Sequence, residues 1–600
     1  MKDKGHKHMS FTIGLIIIGV LFAAVLELSR NTVAGWVLAI ALFVGYFLLH
    51  KNVLADKTWW MKLLGWAGFF VLCFLIYKVS FPPYKQVPAV AFKNPEATDV
   101  LHIEQGDLTG VYNEDKTVEV YTGIPYAAPP VGDLRFKEPQ PADAWEGTLV
   151  CDHFAPMSMQ TENHPIWNSL VNGIFYNSWH FFDVNDNYRE AMSEDSLYLN
   201  VWKPAGDVSN CPVIVYIHGG SLQTGQPSYN QYRGEEYAKR GIVFVSMGYR
   251  LNIFGYYADE ELAKESPNHT TGNYGTLDQL EALKWVNKNI ASFGGDASNI
   301  TLAGESAGAS SVNALCVSPL AKGLFKRAVA ESSGIVARTP YHTFRDYKDA
   351  LAMKEDAWKT LNVSSATEMR KLDAKELVKE AGAYNSMTVD GYVITEQPYL
   401  TYEKGENNEE ALLNGFNAHE ADVFTILGTK VTPENYVEVL RGSFGDQAKA
   451  IAELYPVNEK DAKTSYNAVM SGAWFAYSHH VWSRYMASQN KPVYEYCFTK
   501  ENKGLSTNHA GELPYFYGCL ATEPQNYTKN DYELSDTIVS YITNFAKTGN
   551  PNGLGLPKWP TYSEKPDAVL ELGESVGMME DPYLELYNLI DKAQGYDYTK

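Results

Sequence analysis

The chain has 600 residues, 45% of them hydrophobic and 20% charged, a composition typical of proteins with a large folded core. Its net charge of −21 at pH 7 argues against a nucleic-acid-binding surface, which needs clustered lysine and arginine. The sequence also lacks a G-x-x-x-x-G-K-[ST] phosphate-binding loop. We therefore predict no nucleic-acid partner and no P-loop nucleotide chemistry.

Three long apolar segments open the chain, at 11–28, 32–49 and 59–79. Each is close to the ~20 residues that a bilayer-spanning helix needs. Only short polar joints separate them, so we predict a transmembrane region at 1–82 with three helices. The first segment also fits a cleaved signal peptide, in which case two spans remain.

Basic residues are distributed unequally around these segments. Lysines precede the first segment and mark the second joint: Lys2, Lys4, Lys7, Lys51, Lys57 and Lys62. The joint between the first two segments carries only Arg30. Because basic flanks stay in the cytoplasm, three spans place everything after Phe81 on the opposite side, and so do two spans after signal cleavage. We predict a protein of the cell membrane with an extracytoplasmic soluble domain.

A proline-rich linker is predicted at 83–100 and a soluble domain at 101–600. Within the soluble domain, short β-branched or aromatic runs at 213–217, 242–246, 300–303 and 493–498 predict buried strands. Residues 277–290 have the spacing of an amphipathic helix. Alternating strands and helices predict an α/β fold with a mainly parallel central sheet flanked by helices. In such sheets the chemistry gathers at the carboxyl ends of strands.

A G-x-S-x-G pentapeptide, G-E-S-A-G, occupies 304–308 directly after one predicted strand. The pattern alone is a weak signal, but small residues follow it as the start of a helix. This arrangement predicts a nucleophile elbow, a sharp strand-to-helix turn that lifts a serine hydroxyl above the sheet. We predict Ser306 as the nucleophile.

A second match to the same pattern, G-E-S-V-G, lies at 573–577. It also follows a strand-like run, but M-M-E-D-P comes after it. Nothing there resembles the small-residue helix start that an elbow needs. We interpret Ser575 as a chance match.

Ordered motifs along the soluble domain carry a resemblance to a known family. They are G-I-P-Y-A at 123–127, P-V-G-D-L-R-F at 130–136, S-E-D-S-L-Y-L-N-V-W at 193–202, G-N-Y-G at 272–275, L-D-Q at 277–279, F-G-G-D at 293–296, T-G-N-P-N at 548–552 and W-P at 559–560. From about 101 to about 589 the chain resembles the type-B carboxylesterases and cholinesterases, which have the α/β-hydrolase fold. The resemblance implies ester hydrolysis, which must be argued from the site.

A serine nucleophile needs an imidazole to take its proton and a carboxylate to orient that imidazole. The segment N-H-A-G-E-L-P-Y at 508–515 is similar to the family's histidine segment, which implies His509 as the base. The segment G-F-N-A-H-E at 415–420 is similar to the one that ends in the family's acid, which implies Glu420. The alternatives are the histidine pair at 479–480 for the base and Asp422 for the acid.

The predicted strand 213–217 runs into H-G-G-S at 218–221, where the family carries a glycine-rich oxyanion loop. The resemblance implies that the N–H groups of Gly220, Ser221 and Ala307 form the oxyanion hole. Ser221 stands where the family usually has a third glycine, so we expect its Cβ to narrow the tolerance for bulky or tertiary-alcohol esters.

The six cysteines show no paired spacing. The family commonly has a disulfide that ends at the position of Ser196, with its partner near Ser158, and this chain has serine at both positions. No metal-ligand cluster is apparent in the sequence, and we predict neither a metal nor a cofactor.

The sequence therefore predicts a serine carboxylic-ester hydrolase that acts on small-molecule esters through a covalent acyl-enzyme. The alternative is a non-catalytic adhesion or binding protein of the same fold. The position of the cholinesterases' choline-binding tryptophan falls near Asp186, which favours a general carboxylesterase. An aromatic segment at 167–188 either covers an apolar gorge or simply packs against its surroundings. The natural ester and the oligomeric state stay open.

Overall fold

The structure, a computed structural model, describes residues 2–181, 187–426, 428, 430–457, 461–504 and 507–595. The position near Asp186 and part of the aromatic segment lie outside these residues. The chain divides into two compact units. The first contains Met1–Gln86 and Glu162–Ala191, and the second contains Val87–Thr161 and Met192–Lys600.

The first unit contains the three predicted apolar helices, α1 (Lys2–Leu28), α2 (Val33–Leu49) and α3 (Trp59–Val79). Their stretches long and apolar enough to cross a membrane are Met9–Leu28, Val33–Leu54 and Trp59–Val79, with 20, 22 and 21 residues. The prediction of three long apolar helices is confirmed, and these helices suggest membrane anchoring.

A buried polar cluster ties the joint between α1 and α2 to the end of α3. The Asn31 side-chain amide donates to Ser80 Oγ at 2.6 Å and to the Tyr77 carbonyl at 2.9 Å. The Thr32 N–H donates to the Ser80 carbonyl at 2.9 Å. Because buried polar groups need hydrogen-bond partners, these contacts hold the α1–α2 joint and the end of α3 at the same end of the unit.

The rest of the first unit is the segment Glu162–Ala191, which contains helix α4 (Pro165–Phe175). The helix begins after His164, whose ring nitrogen accepts from the Ile166 N–H, and Pro165 occupies the first helical position. Proline suits that position because its missing N–H would have no helical partner there. A short parallel pair joins Tyr84–Lys85 to Arg189–Glu190.

The second unit is built on an eleven-stranded sheet. Its strands are β1 (Val111–Tyr112), β2 (Val118–Pro125), β3 (Tyr198–Pro204), β4 (Cys211–Ile217), β5 (Val243–Met247), β6 (Gly295–Glu305), β7 (Arg327–Glu331), β8 (Ala411–Asn417), β9 (Val493–Phe498), β10 (Ala568–Leu572) and β11 (Val576–Glu580). Their order across the sheet is β11-β10-β9-β8-β7-β6-β4-β5-β3-β2-β1.

The sheet is parallel from β10 to β5 and antiparallel at both edges. It is therefore mixed, with the predicted mainly parallel centre. The side chains of β4 show why the sequence of a central strand is a continuous run of apolar residues. Val213, Val215 and Ile217 belong to one buried cluster, and Ile214 and Tyr216 belong to another. Both faces of the strand are covered, as parallel sheets require.

Helices surround the sheet and fill the connections between its strands. They are Glu235–Lys239, Asn252–Tyr256, Glu260–Glu265, Tyr274–Asn289, Ala307–Val317, Tyr347–Ala352, Lys354–Leu361, Ala366–Arg370, Ala374–Leu377, Pro398–Lys404, Asp422–Thr425, Tyr436–Phe444, Ala448–Leu454, Lys463–Ser471, Tyr477–Ser488, Leu513–Phe516, Lys529–Thr548 and Leu584–Gln594. Shorter strands pair outside the main sheet: Leu101–Ile103, Gly106–Thr109 and Thr148–Val150 together, Met157–Ser158 with Met192–Ser193, and Arg345–Asp346 with Thr388–Val389.

Candidate active site

Ser306 occupies a sharp turn between β6, which ends at Glu305, and the helix Ala307–Val317. Its φ is 56° and its ψ is −127°. A left-handed φ is unfavourable for a residue with a Cβ and persists only where the surroundings enforce it. The Ser306 N–H donates to the Glu331 carbonyl at 2.9 Å, which holds the turn to β7. A strained serine between a strand and a helix is the geometry of a nucleophile elbow.

Glycines around the turn have no room for side chains. A Cβ on Gly308 would lie 2.0 Å from the Ile217 carbonyl oxygen, and one on Gly304 would lie 2.6 Å from the Gly308 carbonyl carbon. A Cβ on Gly219 would lie 3.0 Å from Ser306 Cβ. Because such distances are below van der Waals contact, the turn requires glycine at each of these positions.

Glu420 and His509 meet at the carboxyl ends of two neighbouring parallel strands. Glu420 follows β8, His509 follows β9, and an isolated bridge pairs His419 with Asn508. Nδ1 of His509 lies 2.6 Å from Oε2 of Glu420. The other carboxylate oxygen accepts from the Asn417 N–H at 2.8 Å, and the Glu420 side chain is fully buried. The acid is therefore fixed against the imidazole on one side and against the backbone on the other.

The far nitrogen of the imidazole lies beside a second carboxylate. Nε2 of His509 is 3.2 Å from Oε1 of Glu305, the residue before Ser306. Ser306 Oγ makes no hydrogen bond among the residues that the structure describes. Catalytic hydrogen bonds are often long in unliganded enzymes and shorten when substrate binds.

Burial lowers the pKa of His509, but the carboxylates of Glu305 and Glu420 raise it by more, so the net shift is upward. Burial raises the pKa of Glu305 because the charged carboxylate loses its water. The rings of Phe424 and Phe475 lie 4.9 Å from the imidazole and cover it. The imidazolium is thus stabilised by charge in a site that otherwise disfavours charge.

Two further glutamates are buried in the same region. Glu331 accepts from the Tyr517 hydroxyl at 2.8 Å, and burial raises its pKa well above the usual range. Glu512 accepts from the Ser332 hydroxyl at 3.0 Å, and burial raises its pKa to about 7. Sequence reasoning missed these two carboxyls and Glu305. Glu305 and Glu512 do lie inside the two motifs that identified the nucleophile and the base.

The loop after β4 turns in a left-handed sense through three consecutive residues. Their φ values are 106° at Gly220, 57° at Ser221 and 58° at Leu222. The N–H groups of Gln223 and Thr224 both donate to the Gly220 carbonyl at 3.0 Å. The departure from glycine at 221 therefore falls on a position where a side chain strains the backbone.

The predicted oxyanion donors are free to bind a ligand. Within the described part of the chain, the N–H groups of Gly220, Ser221 and Ala307 donate to no protein acceptor. Ala307 opens its helix, where the first N–H groups lack helical partners and the helix dipole favours negative charge. An oxyanion hole requires N–H groups that are free to donate.

The rival residues occupy other environments. Ser575 lies in the exposed turn between the antiparallel strands β10 and β11, so a strand and not a helix follows it. His479 and His480 are buried in the helix Tyr477–Ser488, and burial lowers the pKa of each to about 3. Asp422 opens the helix after Glu420, and the contact with His509 is made by Glu420. His218, which precedes the predicted oxyanion loop and is not one of these rivals, is buried against Tyr249, with ring centroids 4.6 Å apart.

The two serines at the family's disulfide positions are in contact. Their hydroxyl oxygens, on Ser158 and Ser196, lie 3.0 Å apart, and Ser158 also donates to the Tyr249 carbonyl at 2.6 Å. All six cysteines of the chain are unpaired. A hydrogen bond between Ser158 and Ser196 therefore joins the two segments that the disulfide joins in the family.

The central sheet and the serine elbow define a hydrolase of the α/β-hydrolase fold. The chain belongs to the carboxylesterase family, whose sequence model matches residues 97–589. It is 31% identical to the fumonisin B1 esterase of Sphingopyxis macrogoltabida over 516 residues, which are 82% of this chain and 89% of that enzyme. It is 29% identical to carboxylesterase 1C of Mus musculus, over 86% of this chain and 93% of that one.

Solved structures agree with this assignment. The Geobacillus stearothermophilus carboxylesterase EST55 superposes with a TM-score of 0.70 and 30% identity, over 82% of this chain and all of that one. PNB esterase superposes with a TM-score of 0.69 and 28% identity, over 82% of this chain and 99% of that one. The predictions of an α/β-hydrolase fold and of a serine carboxylesterase are confirmed.

Proposed function

We propose that this chain is a membrane-anchored carboxylesterase that hydrolyses small-molecule esters through an acyl-enzyme on Ser306. His509 is the general base and acid, and Glu420 orients it. The observation that carries the proposal is the 2.6 Å contact between His509 Nδ1 and Glu420 Oε2. A carboxylate at Nδ1 holds the proton there and leaves Nε2 free to accept one.

In the proposed reaction His509 Nε2 takes the Ser306 hydroxyl proton while Oγ attacks the ester carbonyl. The N–H groups of Gly220, Ser221 and Ala307 stabilise the oxyanion, and removal of one such donor typically costs ~100-fold in rate. His509 then protonates the departing alcohol, and water repeats the cycle on the acyl-enzyme to release the acid. Strain at Ser306 supports this role, because it keeps Oγ accessible at the turn.

We also propose that residues 1–82 anchor the chain, that 83–100 form a linker, and that the catalytic domain lies outside the cytoplasm. The asymmetry of lysines around the apolar helices supports this orientation. Protease treatment of intact cells should release the catalytic domain. A domain that is cleaved only after the cells are lysed would contradict the orientation.

The catalytic proposal is tested by kinetics on p-nitrophenyl esters of graded acyl length, with choline and aryl esters alongside. Ser306→Ala and His509→Ala should each lower kcat by about 10⁴-fold or more. Because the two residues act as a unit, the double variant should lose little beyond either single variant. Near-parent turnover by Ser306→Ala would refute the assignment of the nucleophile. Absence of turnover by the parent on every ester would instead favour the binding-protein alternative.

A further inference from the structure

Helix α4 has an apolar face that is exposed among the residues that the structure describes. Trp167, Val171 and Ile174 lie at i, i+4 and i+7, so they share one side of the helix. Their side chains are 65%, 42% and 64% exposed. Asn168 and Asn172 are also exposed and flank this apolar stripe on one side. The exposed side of the helix is therefore amphipathic, with a stripe of three large apolar side chains beside polar ones.

The apolar face continues beyond the helix. Trp179 packs over Gly173, where a Cβ would lie 2.3 Å from the indole ring. The indole stacks on Phe181, with ring centroids 5.3 Å apart and planes 7° from parallel. Both rings are exposed, Phe181 by 57%. Several large apolar side chains thus form one exposed surface, which soluble proteins rarely leave in water.

Both ends of this segment are fixed at one end of the long apolar helices. Before α4, the Tyr77 hydroxyl near the end of α3 lies 2.8 Å from Nε2 of His164. After α4, Arg30 at the α1–α2 joint donates through Nη2 to Asn187 Oδ1 at 3.0 Å. The helix α4 itself packs beside α1.

This end of the helices is where a bilayer-spanning segment leaves the hydrocarbon. Arg30 lies in the joint between two spans, and Arg189 stacks on Phe81 and Tyr84 just after the third, 4.6 and 3.9 Å from their ring centroids. Tryptophan and tyrosine prefer this headgroup region because one part of the ring is apolar and another is polar. The exposed face of α4 therefore lies at the end of the long apolar helices where, under the proposed anchoring, they leave the hydrocarbon.

We propose that α4 is an interfacial membrane helix, whose Trp167, Val171 and Ile174 enter the bilayer leaflet at the α1–α2 joint. The proposal rests on the membrane anchoring proposed above. Helices of this kind lie in the interface with the apolar face ~5–10 Å deep. Since 165–175 contains no lysine, arginine, aspartate or glutamate, burial of apolar area and not attraction to anionic lipid holds it there.

The test places a fluorophore on each face of α4 in the full chain, in lipid nanodiscs. Cys211 and Cys519, the two partly exposed cysteines, are first replaced by serine, and labelling of this parent gives the background. Ile174→Cys, Asn172→Cys and Val71→Cys are then labelled with an environment-sensitive dye. Quenching is compared for lipids that carry a nitroxide near the headgroup or near the chain end, and for aqueous iodide.

Ile174→Cys should be quenched more by the shallow nitroxide than by the deep one, and equally in zwitterionic and anionic nanodiscs. Asn172→Cys, its match on the polar face, should be quenched by iodide. A label at Ile174 that is quenched by iodide would overturn the proposal. So would one shielded from both iodide and nitroxide lipids, because a second copy of the chain or another part of it would then cover the face.

Val71, in the middle of α3 and 58% exposed, separates this result from the anchoring itself. Quenching of Val71→Cys by the deep nitroxide means that the chain spans the bilayer, whatever Ile174 does. Absence of that quenching would remove the membrane anchor and the interfacial helix together.

Discussion

Nε2 of His509 faces Oε1 of Glu305 at 3.2 Å, so the proposed base has a carboxylate on each side of its ring. Because Glu305 stabilises the imidazolium, it raises the pKa of His509. Removing that charge lowers the pKa, and the neutral base is then present at lower pH. We predict that Glu305→Gln moves the acidic limb of the kcat/KM profile down by about 1 pH unit.

Glu331→Gln is the matched control for this measurement. The Glu331 carboxyl is held by the Tyr517 hydroxyl, and the carboxylates in contact with His509 are those of Glu305 and Glu420. The acidic limb of Glu331→Gln should stay at the parent position. An unchanged or upward-shifted limb in Glu305→Gln would show that Glu305 does not control the base.

Glu420→Gln should lower kcat by about 10³-fold, less than Ser306→Ala, because Glu420 forms no covalent bond in the proposed reaction. The amide keeps the shape but loses the charge that stabilises the imidazolium. Steady-state kinetics on a p-nitrophenyl ester measures the loss. Asp422→Asn, which changes the neighbouring acid, should remain near the parent rate. The reverse ranking would transfer the role of acid to Asp422.

Ser221→Gly should broaden the substrate range. The Ser221 Cβ narrows the loop that we propose as the oxyanion hole, so its removal should raise kcat/KM for tert-butyl esters relative to ethyl esters. Glycine tolerates the positive φ, which stabilises the folded state by about 1 kcal/mol. Glycine also loses more conformational freedom on folding, which destabilises the folded state by about 1 kcal/mol. Because the two effects oppose each other, Tm should change little. Ser221→Ala keeps the Cβ and should keep the parent profile. An unchanged profile in Ser221→Gly would remove this explanation.

Ser158→Cys combined with Ser196→Cys should form a disulfide, because the two hydroxyl oxygens already lie 3.0 Å apart. The bond would close a loop between positions 38 apart in the sequence. In the chain-entropy account, such a cross-link raises the free energy of unfolding by about 3–4 kcal/mol. Thermal denaturation with and without reductant measures the gain.

Thiol counting under denaturing conditions is the control for the disulfide prediction. The parent has six free cysteines, and the oxidised double variant should titrate the same number. Two additional thiols without reductant, or a Tm that reductant does not lower, would contradict the prediction.

Local sequence pattern was sufficient for the central strands and for the turn at Ser306. The runs predicted at 213–217 and 493–498 form Cys211–Ile217 and Val493–Phe498, because strands buried on both faces are continuously apolar. The strand predicted at 300–303 begins earlier, at Gly295. The polar start of this strand pairs with Cys211 of a neighbouring strand. A pattern within 295–303 contains no information about that pairing.

Features that depend on distant contacts were not predictable in the same way. Burial of Glu331 follows from strands far apart in the chain, and nothing in its neighbouring residues indicates it. The grouping of 162–191 with the apolar helices depends on contacts such as Arg30 with Asn187. The antiparallel edges of the sheet likewise arise from pairings that no single segment encodes.

The most direct test of the central claim is to map the adduct of a fluorophosphonate probe by peptide mass spectrometry on the full chain. Serine hydrolases react through the activated nucleophile, so the adduct should lie on Ser306. Ser306→Ala should abolish labelling, while Ser575→Ala should label and hydrolyse esters like the parent. An adduct on Ser575, or labelling that survives in Ser306→Ala, would contradict the account.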